Sequence, residues 1–224
     1  MSRRFFAQSL ADEKILGQED ILPLLEEAGK ILSLHQGEEA HAEALAEVLV
    51  KNNVLTKEKA EELFNGMSGD CLYDKALAVL GDETFARYTE IFCISLQKLV
   101  FADCVIVDSV TEATPYFVFQ AVHGDINVAT AVGAPDTPFL RLASSFSGEE
   151  LDEIDDLAID CWAEFLNVVN GLYMVELASK NIHVELDPPD YFNRLPKLKD
   201  AHVVNLLTTY GELRLYLSPT AYIL

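Results

Sequence analysis

The sequence predicts an α+β fold: a mostly antiparallel sheet packed against long helices over residues 70–224, preceded by a small all-α domain over residues 1–66. Three observations carry this reading. Residues 10–64 hold two copies of a helical pattern. A turn-forming segment, Asn65-Gly66-Met67-Ser68-Gly69-Asp70, marks a boundary. After it, helical periodicity alternates with short β-branched and aromatic runs.

The repeat is visible by eye. Leu10 to Leu25 reads LADEKILGQEDILPLL and Leu49 to Phe64 reads LVKNNVLTKEKAEELF, an offset of 39 residues. The offset aligns Ile15-Leu16 with Val54-Leu55, Glu19 with Glu58, and Leu24-Leu25 with Leu63-Phe64. Each copy reads as a helix, a short turn and a second helix, with Thr56 as the N-cap in the second. Helical stretches at 26–36 and 39–51 join the copies. The repeat clusters no catalytic residue types, so it reads as a packing or partner-docking module.

The second part begins with a helix over 83–102, with apolar positions Phe85, Ile91, Leu96 and Leu99. Strands are expected at Cys104 to Val110 and Tyr116 to Val122. Gly124-Asp125 signals a turn, after which Ile126, Val128, Thr130 and Val132 alternate. Helices are expected over 137–146 and 149–179, a strand over Ile182 to Leu186, and a hairpin of His202 to Thr209 with Leu213 to Leu217 around Tyr210-Gly211. The order is helix, three strands, two helices, three strands.

Composition narrows the function. Half of the 224 residues are hydrophobic, which supports a substantial core. The formal net charge is −21, and such a chain is repelled by the polyanionic surfaces of nucleic acid and of anionic membrane. The four cysteines, Cys71, Cys93, Cys104 and Cys161, form no C-x-x-C pair and read as small buried thiols. The five histidines are scattered, with no metal-ligand spacing, so no protein-held metal is expected. The apolar start Phe5-Phe6 is broken by Gln8 and Asp12-Glu13-Lys14, and no apolar run of about 18 residues follows. The expectation is a cytoplasmic protein.

The long helix, Glu150 to Leu177, holds the candidate chemistry. At about 100° per residue, Ile154, Leu157, Cys161, Phe165, Val168, Leu172 and Val175 form one stripe, widened by Trp162 and Val169. That stripe is the expected buried face. Glu153, Asp156, Asp160, Glu164, Asn167 and Gly171 gather on the opposite flank. Asp160, Glu164, Asn167 and Gly171 are spaced four, three and four, so they stack along one line. A carboxylate beside a carboxamide on a rigid helix can hold a partner's cation and position a water, because the amide both donates and accepts. Glycine at 171 opens space one turn on, at a helix cost of about 1 kcal/mol. Periodicity alone favours a solvated acidic face with an incidental Asn and a packing Gly.

The pattern Asp160-x-x-x-Glu164-x-x-Asn167-x-x-x-Gly171 resembles the active helix of the CheC/CheX/FliY chemotaxis phosphatases, with Pro188 and Pro189 following the next strand. The resemblance covers about residues 72–224 and includes the order of elements. It implies an enzyme that hydrolyses the aspartyl phosphate of a CheY-like response-regulator receiver. Glu164 would pair with the lysine near the phosphoaspartate, and Asn167 would orient water for in-line attack. Asp160 and Gly171 would be supporting residues. The chain would bring no cofactor of its own, and the receiver would supply Mg²⁺. The family's CheC members carry two such helices. Here the candidate first helix reads Glu90-Ile91-Phe92-Cys93, with no Asn at the fourth place, which implies the one-site CheX arrangement and a homodimer. The loop Asp187-Pro188-Pro189-Asp190 lacks the family's usual Pro-Thr, and Asn193 to Asp200 looks like an insertion. The alternative from a different class is a non-catalytic module that uses the same fold to bind a response regulator or another protein.

Overall fold

The computed structural model describes residues 6–12, 16–32, 40–60 and 71–219. Residues 61–70, which include the expected boundary segment Asn65 to Asp70 and the end of the second repeat, lie outside the described residues, as do 1–5 and 33–36.

The described N-terminal residues include α1 (Phe6–Asp12), α2 (Gln18–Leu32) and α3 (Ala40–Lys51), and a further helical turn at residues 57–60. The expected N-cap at Thr56 forms, with the Lys59 amide donating to Thr56 Oγ1 at 3.2 Å. Their buried residues, including Leu10, Ile21, Leu25, Val48 and Leu49, make one cluster with Val105, Val107 and Leu207 of the sheet. Gln8 also accepts a hydrogen bond from the Ile106 amide at 2.8 Å, which satisfies a donor on an edge strand.

Then come α4 (Cys71–Leu80) and α5 (Glu83–Val100), followed by β1 (Cys104–Val107), β2 (Tyr116–Gly124) and β3 (Val128–Ala134). After these lie α6 (Asp136–Ser147), α7 (Asp156–Ser179), β4 (Val184–Leu186), β5 (Asp190–Phe192), β6 (His202–Thr208) and β7 (Gly211–Ser218). Two elements were not expected, helix α4 and the three-residue strand β5. All strand pairings are antiparallel, in the order β1-β6-β7-β3-β2-β4, with β5 also on β2. The two hairpins fall where the turn signals placed them. Glycine is required at 124, with φ at 144°, because a Cβ there would sit 2.4 Å from the His183 carbonyl oxygen.

The main core lies between one face of the sheet and α4 to α7. It holds Phe92, Leu96, Val118, Val132, Phe139, Trp162, Phe165 and Leu215. Cys93, Cys104 and Cys161 are buried, free thiols. On the other face, Phe117, Phe119 and Tyr216 pack with Phe192 and Leu198. Leu198, within the segment Asn193 to Asp200 read from sequence as an insertion, thus joins Phe192 in covering that half of the sheet.

The long helix starts at Asp156 rather than near 149, because Asp155 caps it by accepting from the Ala158 amide at 3.0 Å. Its buried face also differs from the expected stripe. Cys161, Trp162, Phe165 and Val169 are buried, but with Ala158, Leu166, Asn170, Tyr173 and Leu177. Leu157, Leu172 and Val175 are 45%, 48% and 70% exposed. Apolar residues surround this helix on nearly every side, so periodicity indicates its inner face poorly. Burial is decided by where α5, α6 and β2 touch it.

Candidate active site

α7 turns one narrow line of its surface outward. Asp160 and Glu164 are exposed, and Asn167 and Gly171 are half-buried. Asn167 Nδ2 donates to Glu164 Oε2 at 3.3 Å, so the two side chains meet as i, i+3 neighbours. Asp160 lies about a turn before Glu164 and Gly171 about a turn after Asn167. A Cβ built on Gly171 would meet nothing within 4 Å, so no packing within the chain demands the glycine. The exposed Leu157, Leu172 and Val175 flank this line, giving a surface where two acids and an amide border apolar side chains.

The inner side of Asn167 is tied to the sheet. Gln120 of β2 donates from Nε2 to Asn167 Oδ1 at 2.9 Å and to the Asp187 carbonyl oxygen at 2.9 Å. Asn170 Nδ2 donates to Gln120 Oε1 at 2.8 Å, and Tyr88 Oη donates to Asn170 Oδ1 at 2.7 Å. Gln120, Asn170 and Tyr88 are fully buried. Burial raises the Tyr88 hydroxyl far above its ordinary pKa, so it stays protonated. Sequence reasoning passed over these three residues. The available signal was Gln120 itself, the one polar side chain within the run Tyr116-Phe-Val-Phe-Gln-Ala-Val122.

Asp187-Pro188-Pro189 closes the inner side. The Asp187 amide donates to the Ala121 carbonyl at 2.9 Å, and the two prolines separate β4 from β5 because they bring no N–H to a ladder. His123 Nδ1 stands 3.4 Å from Asp187 Oδ1.

Glu90, the first acid of the Glu90-Ile91-Phe92-Cys93 segment, offers no second surface site. It is buried and paired with Arg87, whose Nε also holds Glu176 at 2.7 Å. These residues line a cleft of about 520 Å³ between α4, α5 and the end of α7, away from Glu164 and Asn167. Burial acts to raise the Glu176 carboxyl, but hydrogen bonds from Arg87 and Lys180 outweigh it and hold the group below its ordinary value. The cations of this cleft are therefore engaged by its own acids. Among the described residues, no group of three or more His, Cys, Asp or Glu side chains is arranged to hold a metal ion.

A family model described as "Chemotaxis phosphatase CheX" matches residues 116–199, the stretch from β2 through α7 to the loop after β5. Solved structures agree over a longer span. The CheX protein of Vibrio vulnificus superposes with a TM-score of 0.53 at 10% identity, covering 61% of this chain and 96% of its own. This chain has a CheX-like fold. The CheX protein of Desulfovibrio desulfuricans gives 0.52 at 12% identity, over 63% of this chain and all of its own. A putative chemotaxis protein of Desulfovibrio vulgaris Hildenborough gives 0.52 at 14% identity, over 65% and 99%. Comparison with curated proteins finds no match. The CheX-like part carries the Glu164–Asn167 pair inside the family-matched segment. Among the described residues, no helix is long and apolar enough to cross a membrane.

Proposed function

We propose that this chain is a cytoplasmic phosphatase for the aspartyl phosphate of a CheY-like response-regulator receiver. The observation that carries the proposal is the placement of Glu164 and Asn167 in contact on the outer face of α7 within a CheX-like fold. Glu164 pairs with a lysine beside the receiver's phosphoaspartate. Asn167 reaches the acyl phosphate and holds a water in line with the bond to be broken. The water oxygen forms a bond to phosphorus as the bond from phosphorus to the aspartyl oxygen breaks. Inorganic phosphate leaves, the carboxylate is regenerated, and a proton passes to solvent. The phosphorylated receiver brings the Mg²⁺ that neutralises charge on the transferring group, and this chain supplies position and electrostatics. Asp160 and the open space at Gly171 support the approach of the receiver, and the apolar flanks Leu157, Leu172 and Val175 give it area to bury. With Glu90 buried and paired, each chain offers one such site, and we place two chains in a homodimer.

The test is phosphate release from a panel of phosphorylated receivers, with and without this protein. The expected result is acceleration for at least one receiver. Glu164→Ala should raise KM while kcat changes little, because an interfacial ion pair acts mainly on binding. A receiver that binds but loses phosphate no faster would refute the enzymatic reading and leave a binding module on the same fold.

A further inference from the structure

The amide of Asn167 has a definite polarity, and the residue that sets it is Gln120. A primary amide can be turned over without changing its shape, so its orientation must be read from its partners. The Asp187 carbonyl oxygen carries no proton and can only accept. Its 2.9 Å contact with Gln120 therefore requires Nε2, the donor end, on that side. With Nε2 so placed, its second proton points at Asn167, which must present Oδ1 inward at 2.9 Å. The other end of the chain agrees. Asn170 meets Gln120 Oε1 with Nδ2, and its own Oδ1 takes the Tyr88 proton. The outer end agrees independently, because a reversed Asn167 would point an oxygen at the Glu164 carboxylate that its Nδ2 now meets at 3.3 Å.

We infer that Gln120 is a positioning residue for the proposed phosphatase reaction. Supported by Asn170 and Tyr88, it locks the Asn167 carboxamide with Nδ2 outward, so that Asn167 acts as a hydrogen-bond donor to oxygen in the receiver's phosphoryl site. One Nδ2 proton meets Glu164 and the other faces the ligand. The lock joins three elements, α5 through Tyr88, β2 through Gln120 and α7 through Asn167 and Asn170, together with the Asp187 carbonyl. A side chain held in this way loses little freedom when a receiver docks, and it offers a charged oxygen a preset donor rather than a rotating amide. This inference rests on the phosphatase reading above.

The experiment uses the full chain with a phosphorylated receiver, and the variants Gln120→Leu, which removes both donors, and Gln120→Glu, which replaces the donor facing Asn167 with an acceptor. Both should lower kcat about 10-fold or more, short of the 10²–10³ expected for losing a donor outright. KM should stay within about twofold, because Glu164 and the outer face of α7 are untouched. General destabilisation would instead reduce the amount of active protein and follow the melting temperature. The second measurement needs no variant: side-chain amide exchange by NMR on the unmutated chain. Both Gln120 Nε2 protons should exchange slowly, and the Asn167 amide should exchange faster. Folded Gln120→Leu with unchanged kcat overturns the positioning role and leaves the phosphatase reading intact. Gln120 side-chain protons that exchange as fast as those of exposed Asn193 overturn the lock itself. If the unmutated chain accelerates no receiver, the phosphatase reading falls and takes the positioning role with it.

Discussion

Replacing Asn167 separates its proposed chemical role from its structural one. Asn167→Ala removes the outward donor and also leaves one Gln120 Nε2 proton without its acceptor. A buried donor left unsatisfied costs about 1–3 kcal/mol. Asn167 is half-buried, so water can reach the vacated place, and the loss should fall near 1 kcal/mol. Asn167→Asp is the sharper perturbation. A carboxylate of the same shape still accepts from Gln120, so the inner bond survives. The outward donor, however, becomes an anion beside Glu164. At the present 3.3 Å separation two unit charges repel by about 1.3 kcal/mol in water-like surroundings, so the fold is retained. The rate is not, because losing a placed donor costs about 10²–10³ in turnover. Single-turnover decay of a phosphorylated receiver, read beside thermal unfolding of both variants, measures the two effects separately. If Asn167→Asp folds normally and removes phosphate within twofold of the unmutated rate, Asn167 does not act as a donor, and the catalytic reading fails.

Three further outcomes are expected. Phe165→Ala should cost about 3–5 kcal/mol, since the ring is fully buried and meets Phe92, Phe146 and Trp162, whereas Leu157→Ala should cost no more than about 0.5 kcal/mol at 45% exposure; denaturant titration distinguishes them, and equal losses would contradict the observed inner face of α7. Asp103 is buried, and desolvation pushes its carboxyl up to about 6, against hydrogen bonds from the Cys104 amide and Gln97 that act to lower it. The folded state therefore holds a proton that an unfolded Asp releases near pH 3.9, and this group's contribution falls as pH rises from about 4 to 6. Asp103→Asn should flatten that part of the stability profile and recover up to about 3 kcal/mol at pH 7.5; an unchanged difference between the two proteins across pH 4–7 would remove Asp103 from the account. We propose that residues 70–224 fold as a unit and form the homodimer, so deletion of residues 1–66 should leave cooperative unfolding and a dimer by light scattering. The melting temperature should fall, because Val105, Val107, Leu207 and the Ile106 amide lose their cover; loss of cooperativity would overturn the division.

Much of the fold is legible locally. The hairpin of β2 and β3 follows from a β-branched and aromatic run, Gly124-Asp125, and a second alternating run, and these signals act within a few residues. The helix cap at Thr56 is equally local. Strand β5 left no such trace, because three residues of mixed polarity become a strand only when β2 is there to pair with them. Asn193 to Asp200 read as an insertion for the same reason: the apolar cover that Leu198 gives has meaning only beside Phe117, Phe119 and Tyr216.

The sequence by itself determined the outward line of α7. Asp160, Glu164, Asn167 and Gly171 stack along one line of that helix between apolar flanks, and helical geometry alone brings Glu164 and Asn167 together. Which of the remaining sides faces inward was decided by tertiary structure. The packing of α5, α6 and β2 buries Asn170 and Tyr173 and leaves Leu157, Leu172 and Val175 at the surface, because contact with neighbouring elements outweighs the hydrophobicity of single residues. Only that packing places Gln120, 47 positions before Asn167, within 2.9 Å of it. A hydrogen bond between a strand and a helix depends on how the two elements cross, and no local pattern in either one encodes that crossing.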